Sequence, residues 1–463
     1  MTTKLIYPVI FAALPGRLIS SKGDGGALID GTRKILGMSQ IAAFFRPKLP
    51  MVRLLAGSVG SLATGVVAQA IAFILLARSL GTAQFGELTT ISAVTALANT
   101  WCGFGPGEAL RRIVSRDPAR YAEALGHTLL VILVTGAVLT VVVVPCMFFA
   151  PGIHSGSRGA WLQVLLLLVP VNIAFPSFFS LVENIFLARG DFKTANLING
   201  GTGVVRALAA VAACGLFGVT SLDNWAVWWA VVHVAIGVVC VALIWRFGRP
   251  QLCVLRRELW LGGSLAFSSF LIMLRHSVDV LVLSAVTSPE FVGVYGAGRR
   301  LIGAALVVPG SFDRVIYGKL AVAGRDGPQS SLALATKYLP YSVGISAVTS
   351  VGLFLIAPYM PYVFGHAFVA SSDVVRTLAW TVIPTAIQFL AFDALNAAEH
   401  HKMSTVVSGV ANAVGAMMVV LLGTSNGTSG IYVALYFSDI LRGGGLWLAL
   451  NLSARRQRHV GAY

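Results

Sequence analysis

Arginine side chains inside long apolar runs are the residues of this chain best placed to do chemistry. Arg275, His276 and Asp279 fall near the middle of one run, and Arg299 and Arg300 lie in the next. Arg206 is central in an earlier run, and Asp439 and Arg442 share the last. A guanidinium offers planar, paired N–H donors that match the oxygens of a phosphate or carboxylate two at a time. Such groups bind and orient an anion and break no bond. Carboxyls embedded in the same way, at Glu183, Asp279, Asp393 and Asp439, are the candidates for coupling to an ion or for gating. Arg206, Arg275, Arg299 and Arg300 are the candidates for gripping a negatively charged cargo.

Two readings remain open for several of these residues. Arg275 and Asp279, four apart on one helix face, form either an internal tie or part of a binding wall. Asp439 and Arg442 pose the same choice. Glu183 and Asp393 either couple an ion or hydrogen-bond helix ends. Arg206, Arg299 and Arg300 have no acid within a helical turn and read as lining a wet cavity.

The elements that hold these charges are set by hydropathy. Mean hydropathy is +0.81, 56% of the residues are hydrophobic and 11% are charged. Apolar runs of about 20 residues, the length that crosses a hydrocarbon core about 30 Å thick, recur about a dozen times. A backbone in lipid must pair internally, and runs this continuous read as helices rather than barrel strands. The expected spans are roughly 54–79, 87–110, 126–149, 161–187, 195–218, 225–246, 263–286, 290–313, 338–362, 374–397, 403–423 and 430–452. The fold class is therefore all-α integral membrane, with about 12 transmembrane helices.

The charge balance, 34 Lys and Arg against 18 Asp and Glu, reflects topology rather than nucleic acid as a partner. With the N-terminus in the cytoplasm, about 26 basic residues fall on the inner side and about two, Arg78 and Arg158, on the outer. Both termini are then cytoplasmic. The expected organisation is a cytoplasmic extension over 1–52, a first lobe over 53–247, a cytoplasmic linker over 248–262, a second lobe over 263–453 and a tail over 454–463. Met51 also stands as a plausible start just ahead of the first span. The five cysteines form no CxxC pair or metal-ligand cluster, so neither disulfide, metal nor cofactor is expected. No Walker-type glycine loop is present, and no aqueous domain carries clustered acids or histidines, which argues against an ATPase, a glycosyltransferase or a polymerase.

The two lobes repeat one pattern. Residues 80–88 (LGTAQFGEL) follow the first span and 287–295 (TSPEFVGVY) follow the seventh. Residues 187–196 (LARGDFKTAN) have a loose counterpart in 396–405 (NAAEHHKMST). The offset is about 206 to 209 residues in each case, which predicts parallel repeats related by an axis along the membrane normal.

Residues 77–88 (ARSLGTAQFGEL), 103–112 (GFGPGEALRR) and 292–301 (VGVYGAGRRL) resemble the polysaccharide exporters and lipid-linked oligosaccharide flippases of the multidrug/oligosaccharidyl-lipid/polysaccharide superfamily. The resemblance spans about residues 52–453. It implies two six-helix lobes around a central cavity in the bacterial inner membrane. The implied activity is to turn undecaprenyl-diphosphate-linked oligosaccharides from the inner to the outer leaflet for surface or exopolysaccharide synthesis. Its implied partners are the lipid-linked oligosaccharide, membrane lipids, a proton or sodium ion, and a polysaccharide polymerase with other assembly proteins. A cation-coupled multidrug exporter of the same superfamily is the alternative.

Overall fold

A computed structural model describes residues 49–460 except 106, 151 and 155, with side chains from 69 to 457. Most of the expected extension, residues 1–48, lies outside the described residues. Ser61–Tyr463 forms one compact unit. The unit before it is described only as helical backbone from Leu49.

The described chain is built of helices joined by turns and short loops. In order the helices are α1 (Leu49–Asn99), α2 (Glu108–Arg116), α3 (Tyr121–Phe149), α4 (Arg158–Ala188), α5 (Phe192–Val211) and α6 (Leu222–Trp245). After the linker come α7 (Arg256–Val286), α8 (Pro289–Ala305), α9 (Val307–Gly324), α10 (Pro328–Ile356), α11 (Ser371–Leu378), α12 (Val382–Ala397) and α13 (His401–Val460). Nine segments among the described residues are long and apolar enough to cross a membrane. In the most apolar window of α3 only 28% of residues are buried. Val141, Val142 and Leu133 project outward there, a surface that lipid tolerates and water does not.

Two long helices fold back on themselves. Gly81 breaks α1 with φ 70° and ψ 179°. The rings of Phe73 and Phe85 then lie 6.4 Å apart, edge to face. Twelve residues of straight helix would separate them by about 18 Å. Gly427 breaks α13 with φ 62° and ψ −139°. A side chain on Gly423 would meet Ile431 across that turn. Only glycine takes these backbone angles without strain, so each long helix is an antiparallel pair.

The expected second span, 87–110, stops at Asn99. Residues 101–107 read as apolar, but Gly103, Gly105 and Gly107 all have positive φ, and Phe104 does as well. That left-handed run cannot continue a helix. The chain restarts as the amphipathic α2. The expected eighth span, 290–313, is likewise two helices that meet at Leu306, and the second runs on to Gly324.

Packing divides by sequence. Helix α4 contacts α2, α3, α5 and α6, whereas α13 contacts α7, α10 and α12, and α9 lies between α10 and α12. Residues of the linker are held on the start of α3. Gln251 N donates to Ala122 O, Leu255 N to His127 Nδ1 at 3.3 Å, and a side chain on Gly126 would strike the Gln251 carbonyl.

Candidate functional site: a guanidinium–carboxylate ladder between three helices

The turn at 287–288 folds α8 back along α7, so residues equally far from it meet. Asp279 therefore faces Tyr295 and Arg299. Its Oδ2 accepts from Tyr295 Oη at 2.6 Å and from Arg299 Nε at 3.0 Å, and its Oδ1 lies 2.9 Å from Val280 N. Asp279 and Tyr295 are fully buried. One turn away, Arg275 reaches the second arm of α13. Its Nε donates to Ser438 Oγ at 2.7 Å, and its Nη2 donates to Asp439 Oδ1 at 2.6 Å and to Leu435 O at 3.4 Å. Gly415 leaves room for Ser438, the acceptor of the Arg275 Nε–H, since a Cβ there would lie 2.7 Å from Ser438 Cβ. Gln388 of α12 donates to the Asp439 carbonyl at 2.9 Å.

Ties within one helix, one of the two readings open for these residues, give way to ties between helices. Arg275 pairs with Asp439 and not with Asp279; Asp439 is taken by Arg275 and not by Arg442; and Arg299, expected without an acid, holds Asp279. The reason is saturation. A guanidinium in a dry wall must satisfy several N–H groups at once. Across helices it finds an acid plus a hydroxyl or carbonyl, whereas an acid one turn along its own helix brings no such company. His276 is exposed beside the ladder, and the charges acting on it are those of Arg299, Arg275, Arg442 and Asp279. These groups form one polar cluster where α7, α8 and α13 meet.

The other two expected arginines lie elsewhere. Arg300 follows Arg299 by about 100° of helix turn and points at α1. Its Cζ stands 3.4 Å from the Phe73 ring centroid and 5.2 Å from that of Phe85. Phe85 in turn meets Phe368 edge-on at 5.9 Å. This is a cation–π clamp. Beside it, Gly86 and Gly293 touch backbone to backbone. A Cβ on Gly86 would lie 2.9 Å from Gly293 N, and a Cβ on Gly293 would lie 3.1 Å from Gly86 N. Arg206 of α5 stacks over Phe179 of α4 at 5.4 Å. Next to it, His233 faces the Trp229 carbonyl at 2.8 Å.

Glu183 accepts from Asn199 Nδ2 at 2.7 Å, a bond between α4 and α5. Asp393 is buried on α12 and its charge acts on Tyr317 of α9. Nearby, Asn396 Oδ1 accepts from Ser404 Oγ at 2.7 Å. Neither acid joins the ladder. Tyr295 and Ser438 were not anticipated as members. The mirror relation about the 287–288 turn is the signal that would have found Tyr295. Among the described residues no three His, Cys, Asp or Glu side chains gather as metal ligands.

A family model described as "Polysaccharide biosynthesis protein" matches residues 55–317. No curated protein matches the chain by sequence. Solved structures share its fold. An inward-facing multidrug resistance transporter of the MATE family superposes with a TM-score of 0.66 at 14% identity, over 87% of this chain and 99% of that one. The lipid II flippase MurJ, in an inward closed conformation, gives 0.64 at 13% identity, over 85% and 87%. The MATE multidrug transporter DinF-BH gives 0.57 at 15%, over 88% and 95%. At such identities the likeness concerns fold. The family match covers more than half of the sequence, and it means that the chain belongs to the polysaccharide biosynthesis protein family.

Proposed function

We propose that this transporter carries lipid-diphosphate-linked oligosaccharides across the bacterial inner membrane, turning the headgroup from the cytoplasmic to the periplasmic leaflet. The observation that carries this reading is a set of unspent donors. Arg206 Nε, Arg275 Nη1, Arg300 Nη1 and Arg442 Nε are each buried with no hydrogen-bond acceptor among the described residues. A buried donor without a partner costs about 1–3 kcal/mol, and more when charged. Oxygens of a diphosphate or an acidic sugar would satisfy such donors. Arg275 and Arg442, in the cluster between α7, α8 and α13, grip the headgroup. Arg299 positions Asp279 and Tyr295 behind them. Arg206 offers a second contact from the first half of the chain. Asp279 and Asp439 serve the cargo indirectly, by holding Arg299 and Arg275 in place.

Architecture and motion follow from the fold-backs. In this reading the two halves of α13, divided at Gly427, and the two arms of α1 count as separate spans beside the other eight segments, twelve in all. They fall into six before the linker and six after it. The two glycines that touch, Gly86 and Gly293, occupy matching turns of the two repeats, which supports parallel lobes related by an axis along the membrane normal. With both termini cytoplasmic, their contact closes the periplasmic end. Transport then alternates between this closure and an opposite one, driven by an ion gradient or by removal of product, and a polysaccharide polymerase is the partner that consumes it.

Arg442→Gln is expected to lower the flipping rate of a polyprenyl-diphosphate sugar in proteoliposomes at least tenfold with membrane levels unchanged. Arg275→Ala should do the same. An undiminished rate in both variants would remove this cluster as the headgroup site.

A second reading is favoured by the solved structures, most of which are multidrug transporters: a cation-coupled drug exporter. Deleting the gene separates the two. A flippase deletion loses a surface or secreted polysaccharide and accumulates its lipid-linked repeat inside the cell. An exporter deletion leaves the polymer intact and lowers drug tolerance.

A further inference from the structure

Asp313 on α9 belongs to neither the ladder nor the clamp. It is 1% exposed, and both of its carboxyl oxygens are buried without a hydrogen-bond partner. Its helix neighbours one turn on, Ile316 and then Leu320, pack in a dry cluster with Ala335 of α10 and with Leu390, Ala391 and Ala394 of α12. Among the described residues no salt bridge includes it, and burial is what acts on it. From α8, Arg299 is held by Asp279 and Arg300 by its two rings. From α10 the titratable groups are Lys337, Tyr338 and Tyr341, with Tyr338 bonded to Lys319 of α9 at 3.0 Å. From α12 the acid is Asp393, which acts on Tyr317.

A bare carboxylate in such a place is too costly to persist, because buried charges are found paired, metal-bound or neutralised. A metal ion would need several oxygens at once, and no cluster of acids, histidines or cysteines supplies them among the described residues. The remaining positive partner is a proton. Just before Asp313 the α8–α9 junction at Leu306 interrupts the segment, with Pro309 in the first turn of α9, and a break of this kind lets a helix end shift.

We propose that Asp313 is a proton-carrying site: it holds a proton in this conformation and releases it when α9 shifts, so that proton movement is tied to transport. The task assigned to the proton rests on the transport reading above; its location on Asp313 does not. Infrared spectra of the full-length protein in phosphatidylethanolamine–phosphatidylglycerol vesicles provide the first test. Wild type near neutral pH should show the carbonyl stretch of a protonated carboxylic acid that Asp313→Asn lacks. The second arm measures flipping of a fluorescent polyprenyl-diphosphate sugar with and without a pH gradient. Wild type should accelerate at least fivefold under the gradient, whereas Asp313→Asn should keep the rate seen without one and ignore the gradient. Identical carboxylic-acid spectra overturn the proposal. So does a variant that answers the gradient as wild type does, or a wild type driven by sodium and not by pH. A band present in a protein that moves a cationic dye such as ethidium and no polyprenyl diphosphate upholds the proton site and removes the proposed cargo.

Discussion

Asp279→Ala lowers the stability of the bundle by about 3 kcal/mol, the loss expected when one partner of a buried ion pair is removed. Arg299 then keeps a largely buried guanidinium, 22% exposed, with no acid, and the fully buried Tyr295 hydroxyl loses its acceptor. The check is thermal unfolding in detergent, with Asp279→Asn as an intermediate case because an amide oxygen still accepts from Tyr295. The double variant Asp279→Ala with Arg299→Met should regain most of the loss, since an apolar pair leaves no stranded charge. Equal melting temperatures for wild type and Asp279→Ala would mean that the pair is solvated and holds nothing together.

Gly86→Ala and Gly293→Ala are the second large effect. In this conformation a Cβ at either position runs into the other repeat's backbone, at the Pro289 carbonyl for Gly86 and the Thr82 carbonyl for Gly293. Backbone atoms cannot swing aside as a side chain can. Each variant should therefore be driven out of this arrangement, and transport should fall at least tenfold because one half of the cycle is blocked. Spin labels at Thr220→Cys and Glu290→Cys report the end where these glycines lie; both sites are exposed, and Leu222 N is bonded to Gln84 nearby. The distance distribution should lengthen in both glycine variants. An unchanged short distance would show that the contact yields, and the closure would have to be sought elsewhere.

These two sites also mark how far the sequence could be read. Long apolar runs announce membrane helices because composition over 20 residues averages out local detail. Boundaries escaped where the detail was stereochemical. Trp101 to Gly107 is as apolar as a helix interior, yet its glycines take left-handed angles, and hydropathy carries no information about φ. The membrane arginines and acids were legible as types. Their partners were not, because i, i+4 spacing describes one helix and the ion pairs cross between helices. Arg275–Asp439 joins residues 164 apart. Arg300 illustrates the same limit, since nothing in the run VGVYGAGRRL says that one guanidinium meets a carboxylate while its neighbour meets two phenyl rings. Asp313 was passed over because it stands beside Arg314 near an expected span end, where a charge is ordinary in sequence and only burial makes it unusual.

The way the linker is fastened sets where the molecule can bend. Gln251 and Leu255 are bonded to the start of α3, and Arg112 of α2 grips Glu258 in the first turn of α7. Phe104 lies against Gly262 one turn further on. The chain between the two repeats is therefore no slack leash, and the root of α7 is riveted to the opposite half. A swing of one half against the other would then have to flex α7 in mid-course, beyond the paired glycines 262 and 263, as a leaf spring clamped at its root.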